Sequence, residues 1–304
     1  MSDASIGTTA PGGGRPLAGG AAADLPLASS DRGQRPYIQR FGPVERLTHA
    51  IMVLSFFGLV ITGVPLHFSH APWAATMMGL LGGVGAAGAI HRFFGVMTFG
   101  YFFLHLGMLA TRFLGAPDKK AFLLGPRSMV PQPKDLEDVV GMFRWFVGKG
   151  PRPRFDRYSY MEKFDYWAVF WGIAIIGGSG LLLWFPIFFS RFLPGWMFNV
   201  ATIVHGDEAL LAMGFIFTIH FFNSNLRPEK FPIDVVMFTG RARADYIEEE
   251  HPLEYERELK AGRLQALEVP APSRASYLWS LTLGFIAIAT GLTLTGLVIY
   301  AVLQ

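Results

Sequence analysis

The chain has 304 residues, of which 51% are hydrophobic and only 16% charged, a balance too apolar for an ordinary water-soluble domain and typical of a polytopic membrane protein. It contains no cysteine, which excludes disulfides, iron–sulfur clusters and covalent cofactor attachment through a C-x-x-C-H motif. The net charge of +3 comes from bases confined to particular loops, a pattern that membrane topology explains and that argues against nucleic acid as a partner.

Residues 1–36 are rich in Gly, Ala, Pro, Ser and Asp and lack periodicity, so they are expected to form a disordered tail. With no apolar run of signal-peptide length there, a cleaved leader is not expected. Ordered structure is expected from Tyr37, where RPYIQRFGPVERLTHA leads into a first membrane span over residues 44–68. No Asp, Glu, Lys or Arg occurs between Leu47 and His91. Within that interval the Gly-rich GLLGGVGAAGAI reads as a loop returning the chain to a second span over residues 91–113. A long polar loop precedes the third span, residues 164–189. The fourth, Ile203–Asn225, carries no charge from Ala209 to Leu226, and a fifth covers residues 276–303. Each run meets the ~20 residues that a helix needs to cross about 30 Å of hydrocarbon. The expected fold is thus all-α, a polytopic membrane helical bundle with a core domain over residues 37–260 and a linker plus additional transmembrane helix over residues 261–304.

Loop charge orients the bundle, because short cytoplasmic loops carry the Lys and Arg excess. Counting bases at span ends with the adjoining loop, five belong to the start of the first span with Arg46, eleven to the connection of spans two and three with Arg112, and eight to that of four and five; the opposite side holds only Arg92 and Arg191. The amino terminus is therefore expected in the cytoplasm and the carboxyl terminus outside, in the periplasm of a bacterial inner membrane. Most of the seven tryptophans fall near span ends, as anchors in contact with lipid headgroups do.

This topology sorts the histidines by depth. His49, His105 and His220 lie toward the cytoplasmic ends of spans one, two and four; His91 and His205 lie toward the outer ends of spans two and four. His205 and His220 are about 22 Å apart along one helix and roughly 60° apart around it, while His91 and His105 are about 21 Å and 40° apart. Histidines at membrane depth face a bundle interior where something engages them, and pairs at two matched depths are what bis-histidine ligation of two haems requires. Two other classes remain to be weighed. A haem-free proton-relay or transport protein would use the same histidines but favours broken helices and internal repeats, and a structural anchor would use them only to bond helix to helix.

FGPVERLTHA at the first span, HRFFG at the second, FWGIAIIGGSGLLLWFP in the third, the paired histidines of the fourth and EHPLEYERE after it together resemble the membrane cytochrome b subunit of formate dehydrogenases and the b-type cytochromes of nickel–iron hydrogenases, over residues 35–260. The resemblance implies four helices holding two b haems, the outer on His91 and His205 and the inner on His49 and His220. His105 departs from the formate dehydrogenase pattern and rivals His49 for the inner haem, since two helices hold both haems in the cytochrome b6 type. It implies a quinone, menaquinone or ubiquinone, beside the inner haem near Tyr158–Lys163, where Glu162 is either a proton acceptor or an interfacial charge flanking the span. It further implies a redox partner subunit at the outer face: a multihaem cytochrome c, an iron–sulfur protein or a molybdenum or nickel enzyme. The chain would then be an electron-transfer subunit whose terminal catalyst is another polypeptide.

Arg46, Arg92, Arg112 and Arg227 sit at span ends, where a guanidinium can pair with haem propionates or simply anchor the helix. Asp207 and Glu208 are expected at the outer mouth near His205. His67 and His70 read as interfacial loop residues and His251 as a surface residue. Gly177, Gly178 and Gly180 offer a close-packing face or a haem wall.

Overall fold

The structure, a computed structural model, describes residues 35–228 and 230–304; nearly all of the expected tail lies outside the described residues. Five helices are long and apolar enough to cross a membrane, Pro43–His67, Gly83–Gly115, Tyr160–Trp184, Trp196–Leu226 and Arg274–Val302, and they are called spans one to five below. All five expected spans are present. Their outward faces carry large exposed apolar side chains such as Leu54, Phe103, Leu211 and Ile286, the surface that hydrocarbon covers in a bilayer.

Span two starts eight residues before the expected His91. The segment read as a Gly-rich loop begins at the end of a short helix, Pro72–Leu80, makes a tight turn at Gly82 and Gly83, and then forms the first turns of the span. Both turn glycines have positive φ, 84° and 88°, backbone that costs a residue with a side chain far more. The remaining residues join the helix, where Ala86, Ala87 and Ala89, of the residue type that favours helix most, offset the glycines and Ala87 is fully buried. Span three likewise begins earlier, at Tyr160, with Ser159 and Glu162 forming a reciprocal capping box that satisfies free N–H groups of the first turn.

Spans three and four contain π-helical turns, Ile173–Gly177 in the third and Ile216–His220 and Phe222–Leu226 in the fourth. Each inserted residue rotates the helix beyond it by about 100° relative to a regular α-helix. Span one pairs mainly with span two, and span three with span four. The fourth span also packs against the fifth, where Phe217 and Phe221 meet Gly291 and join Val60, Val64 and Leu294 in the buried core. Gly296 has no neighbour within 4 Å of a built Cβ.

On the side of the bundle holding the ends of spans one, two and four that carry His49, His105 and His220, the connecting segments form a small layer that was not expected. Strands β1 (Tyr37–Gln39), β2 (Arg241–Arg243) and β3 (Glu268–Val269) make a three-stranded antiparallel sheet in the order β2-β1-β3. Helices Ala244–Glu250 and Pro252–Lys260 bring acidic side chains onto arginines from distant segments. Glu254 binds Arg40 and, at 2.8 Å, Arg157; Glu250 binds Arg152 at 2.8 Å and Arg227 at 3.1 Å; Glu258 binds Arg127 at 2.9 Å and Arg263 at 2.8 Å. Burial raises the Glu254 carboxyl, but Arg40 and Arg157 outweigh it and hold the group below the usual carboxylate range. The hydrogen bond from Arg263, opposed by burial and joined by that from Arg127, holds Glu258 at about 2.

His251 belongs to this layer and is not a surface residue: it is 4% exposed. Its Nδ1 lies 2.7 Å from the Asp156 carbonyl and its Nε2 3.0 Å from Arg40. Burial first, then the neighbouring Arg40 cation, push its imidazole below the usual value. A histidine in a stretch of acids reads as solvated in sequence; here the acids themselves are turned inward by arginines.

Candidate functional site: paired imidazoles at two depths

His91 of span two and His205 of span four face each other with ring centroids 6.1 Å apart. The Nδ1 of His205 lies 2.9 Å from the Ile176 carbonyl, within the π turn of span three, and 3.4 Å from the Ser179 hydroxyl. A carbonyl can only accept, so His205 carries its proton on Nδ1 and leaves the Nε2 lone pair bare. His91 Nδ1 lies 2.9 Å from the Thr62 hydroxyl. That hydroxyl donates its single proton to the Gly58 carbonyl at 2.6 Å, so it accepts from His91 Nδ1–H, and the His91 Nε2 lone pair is likewise left bare. Glycines lie under both rings: a Cβ at Gly63 would come within 3.2 Å of His91, and one at Gly180 within 2.9 Å of His205. The other glycines of the third-span motif divide, Gly177 packing on Phe99 and Gly178 having nothing within 4 Å.

These residues fit a metal held between two imidazoles. An imidazole nitrogen about 2.0 Å from a first-row metal, with its ring centre about 1.1 Å behind, gives about 6 Å between ring centres across the metal, close to the observed separation. Holding each Nδ1–H fixes tautomer and ring orientation, as ligating histidines require.

At the other level, on the side of the charged layer, His220 Nδ1 is 2.9 Å from Asp165 Oδ2, and His49 of span one lies within electrostatic range of His220. His105 is engaged differently: its Nε2 is 2.9 Å from the Tyr166 hydroxyl, and its ring stacks edge-on against Tyr166 and Phe170. Asp165, Tyr166, Thr62 and Ser179 were not singled out in sequence. Asp165 had a signal, a carboxylate one turn inside an apolar run; the others are ordinary membrane-helix residues whose role appears only through their neighbours.

The remaining candidates have other partners. Glu162 accepts from the Ser159 backbone N–H at 2.7 Å and its hydroxyl at 2.8 Å, and its second oxygen is 3.6 Å from Arg40 and 4.0 Å from His251. Arg46 donates to the Phe238 carbonyl at 2.7 Å, Arg92 lies over the Trp184 ring at 6.0 Å, Arg112 pairs with Glu45 at 3.2 Å and Arg227 with Glu250. Asp207 is exposed, and Glu208 accepts a 3.4 Å hydrogen bond from Trp171. His67 packs against Gly206, and His70 is exposed. Among the described residues no cluster of three or more His, Asp or Glu is arranged for a free metal ion.

A bundle of membrane helices that brings imidazoles of separate helices together, as it does His91 and His205, is the architecture of a membrane cytochrome of the b type. The family described as prokaryotic cytochrome b561 matches residues 40–224, and the chain belongs to that family. It is accordingly a multi-pass protein of the inner membrane, with haem b as its cofactor and electron transfer as its role. The match covers spans one to three and all but the last two residues of span four, and stops before span five. A comparison with curated proteins returns no match.

Proposed function

We propose that the chain is a di-haem cytochrome b subunit that passes electrons between the quinone pool and a partner redox subunit at the outer membrane face. His91 and His205 hold the outer haem, and His49 and His220 the inner one. The observation that carries this reading is the His91–His205 pair, whose ring centres are 6.1 Å apart with both Nδ1 atoms engaged and both Nε2 atoms free. At the inner level His105 has its Nε2 committed to Tyr166, which favours His49 as the partner of His220.

Bound haem iron supplies reversible one-electron chemistry; the chain supplies ligands, orientation and a low dielectric. Thr62, Ile176 and Asp165 hold the imidazoles in register. Loop charge supports a cytoplasmic amino terminus, so the quinone, near Tyr158–Lys163, exchanges protons with the inner water. The partner contacts the opposite face and carries the terminal catalyst.

The test is the haem-to-protein ratio, with a reduced-minus-oxidised spectrum, for wild type, His49→Ala and His105→Ala. Two haems in wild type and one in His49→Ala, with His105→Ala unchanged, are expected. Loss in His105→Ala alone would move the inner haem to the two-helix arrangement, and a folded wild type without haem would refute the reading.

A further inference from the structure

The four proposed ligands are not held alike. At the outer level the groups that accept from the imidazoles are neutral: the Thr62 hydroxyl for His91, and the Ile176 carbonyl with the Ser179 hydroxyl for His205. At the inner level His220 donates from Nδ1 to a carboxylate, Asp165 Oδ2, at 2.9 Å. The other carboxylate oxygen, Asp165 Oδ1, is buried and has no hydrogen-bond partner among the described residues. Among the described residues no arginine or lysine pairs with Asp165, unlike Glu250, Glu254 and Glu258 in the neighbouring layer. A carboxylate at membrane depth is expensive, and this one directs its charge at a single imidazole.

We propose that Asp165 is a positioning residue that makes the inner haem the more reducing of the two. Resting on the di-haem reading above, the argument runs through charge. An anionic acceptor draws on the Nδ1–H proton and makes the opposite nitrogen a stronger electron donor. Stronger donation, together with a nearby negative charge, stabilises the oxidised iron relative to the reduced and lowers the potential. The outer imidazoles, bonded to neutral oxygens, receive no such push. One electron lost at the inner site and gained at the outer site therefore moves downhill, and the asymmetry is written into spans one, three and four rather than into the cofactor.

The experiment is an optical redox titration of the purified, haem-loaded full chain, wild type against Asp165→Asn, Asp165→Glu and Thr62→Val. Asp165→Asn keeps the shape and an acceptor oxygen while removing the charge. The expected result is two components in wild type, with only the lower one moving up in Asp165→Asn, by about tenfold or more in the reduction equilibrium, about 59 mV for a one-electron couple. Thr62→Val is expected to disturb only the higher component. Retention of both haems in Asp165→Asn with neither potential moved, or movement of the higher component alone, overturns the proposal. If Asp165→Asn loses the lower component altogether, Asp165→Glu decides: its retention at low potential supports the charge, while loss in both variants assigns Asp165 a purely structural part and overturns the proposal. A wild type with fewer than two haems refutes the di-haem reading itself, which separates that failure from failure of the role of Asp165.

Discussion

Glu254→Ala probes the charged layer where the magnitude is largest. The Arg40 side chain is 3% exposed and that of Glu254 6%. Removing the carboxylate leaves the Arg40 guanidinium against the Arg157 carbonyl and His251, with Glu162 no nearer than 3.6 Å. Breaking one side of a buried ion pair costs about 3–5 kcal/mol because the remaining charge stays buried. At roughly 2–4 °C per kcal/mol for a chain of this size, the apparent Tm should fall by roughly 6–20 °C. The assay is thermal unfolding in one detergent at one scan rate, since irreversible unfolding makes the midpoint rate-dependent. Glu256→Ala is the control on the same helix: its pair with Arg154 is 43% and 52% exposed, and such pairs are worth about 1 kcal/mol or less. Equal shifts in the two variants, or no shift in Glu254→Ala, would refute the argument that burial sets the cost.

Acid should loosen the same layer. Glu258 lies at about 2 against a usual 4.5, and Glu250 and Glu254 are also lowered, so their stabilisation is present above pH ~4.5 and lost as pH falls toward about 2. For Glu258 the unscreened ceiling is about 3 kcal/mol; Arg127 and Arg263 are 62% and 54% exposed, and water reduces it to about 1–2 kcal/mol. Apparent Tm measured across this pH range should therefore fall less steeply in Glu258→Gln than in wild type. Gly180→Leu should drive a side chain into His205, whose Cε1 is 2.9 Å from a built Cβ, and remove one haem from the stoichiometry, whereas Gly178→Ala, with open space beside it, should retain both. In helix Pro133–Phe146, Leu136, Val140 and Phe143 form an exposed apolar row at helical spacing, while Lys134 and Gly141 face Arg154 and Pro153; such a row is suited to the membrane interface. A spin label on Phe143→Cys in this cysteine-free chain should be accessible to oxygen and shielded from a water-soluble relaxant, and one on Glu137→Cys should behave oppositely.

The five spans were legible because an uncharged run of twenty residues has few alternatives in a chain this apolar. Their ends were less so. Glycine-rich sequence signals a loop, but in Gly83–Gly88 the glycines are interleaved with Val84, Ala86 and Ala87, Ala87 is buried, and the helix runs through it. That His91 and His205 share a level was also legible, since level depends on rise along the helix. Their azimuth was not, because the π turn at Ile216–His220 adds a residue between His205 and His220, and no composition rule marks such a turn.

What sequence could not supply is the set of groups that hold the imidazoles. Thr62, Ile176 and Ser179 are separated from the histidines they touch by 26 to 29 residues, and Asp165 from His220 by 55, so each contact exists only once the helices are packed. Asp165 was the legible exception that was passed over: it stands in EKFD at the mouth of span three, where charges flanking a span are commonplace. One helical turn makes the difference. Glu162 lies in the first turn and caps it, whereas Asp165, three residues on, is carried past the cap to the level of His220, where its charge meets an imidazole instead of water.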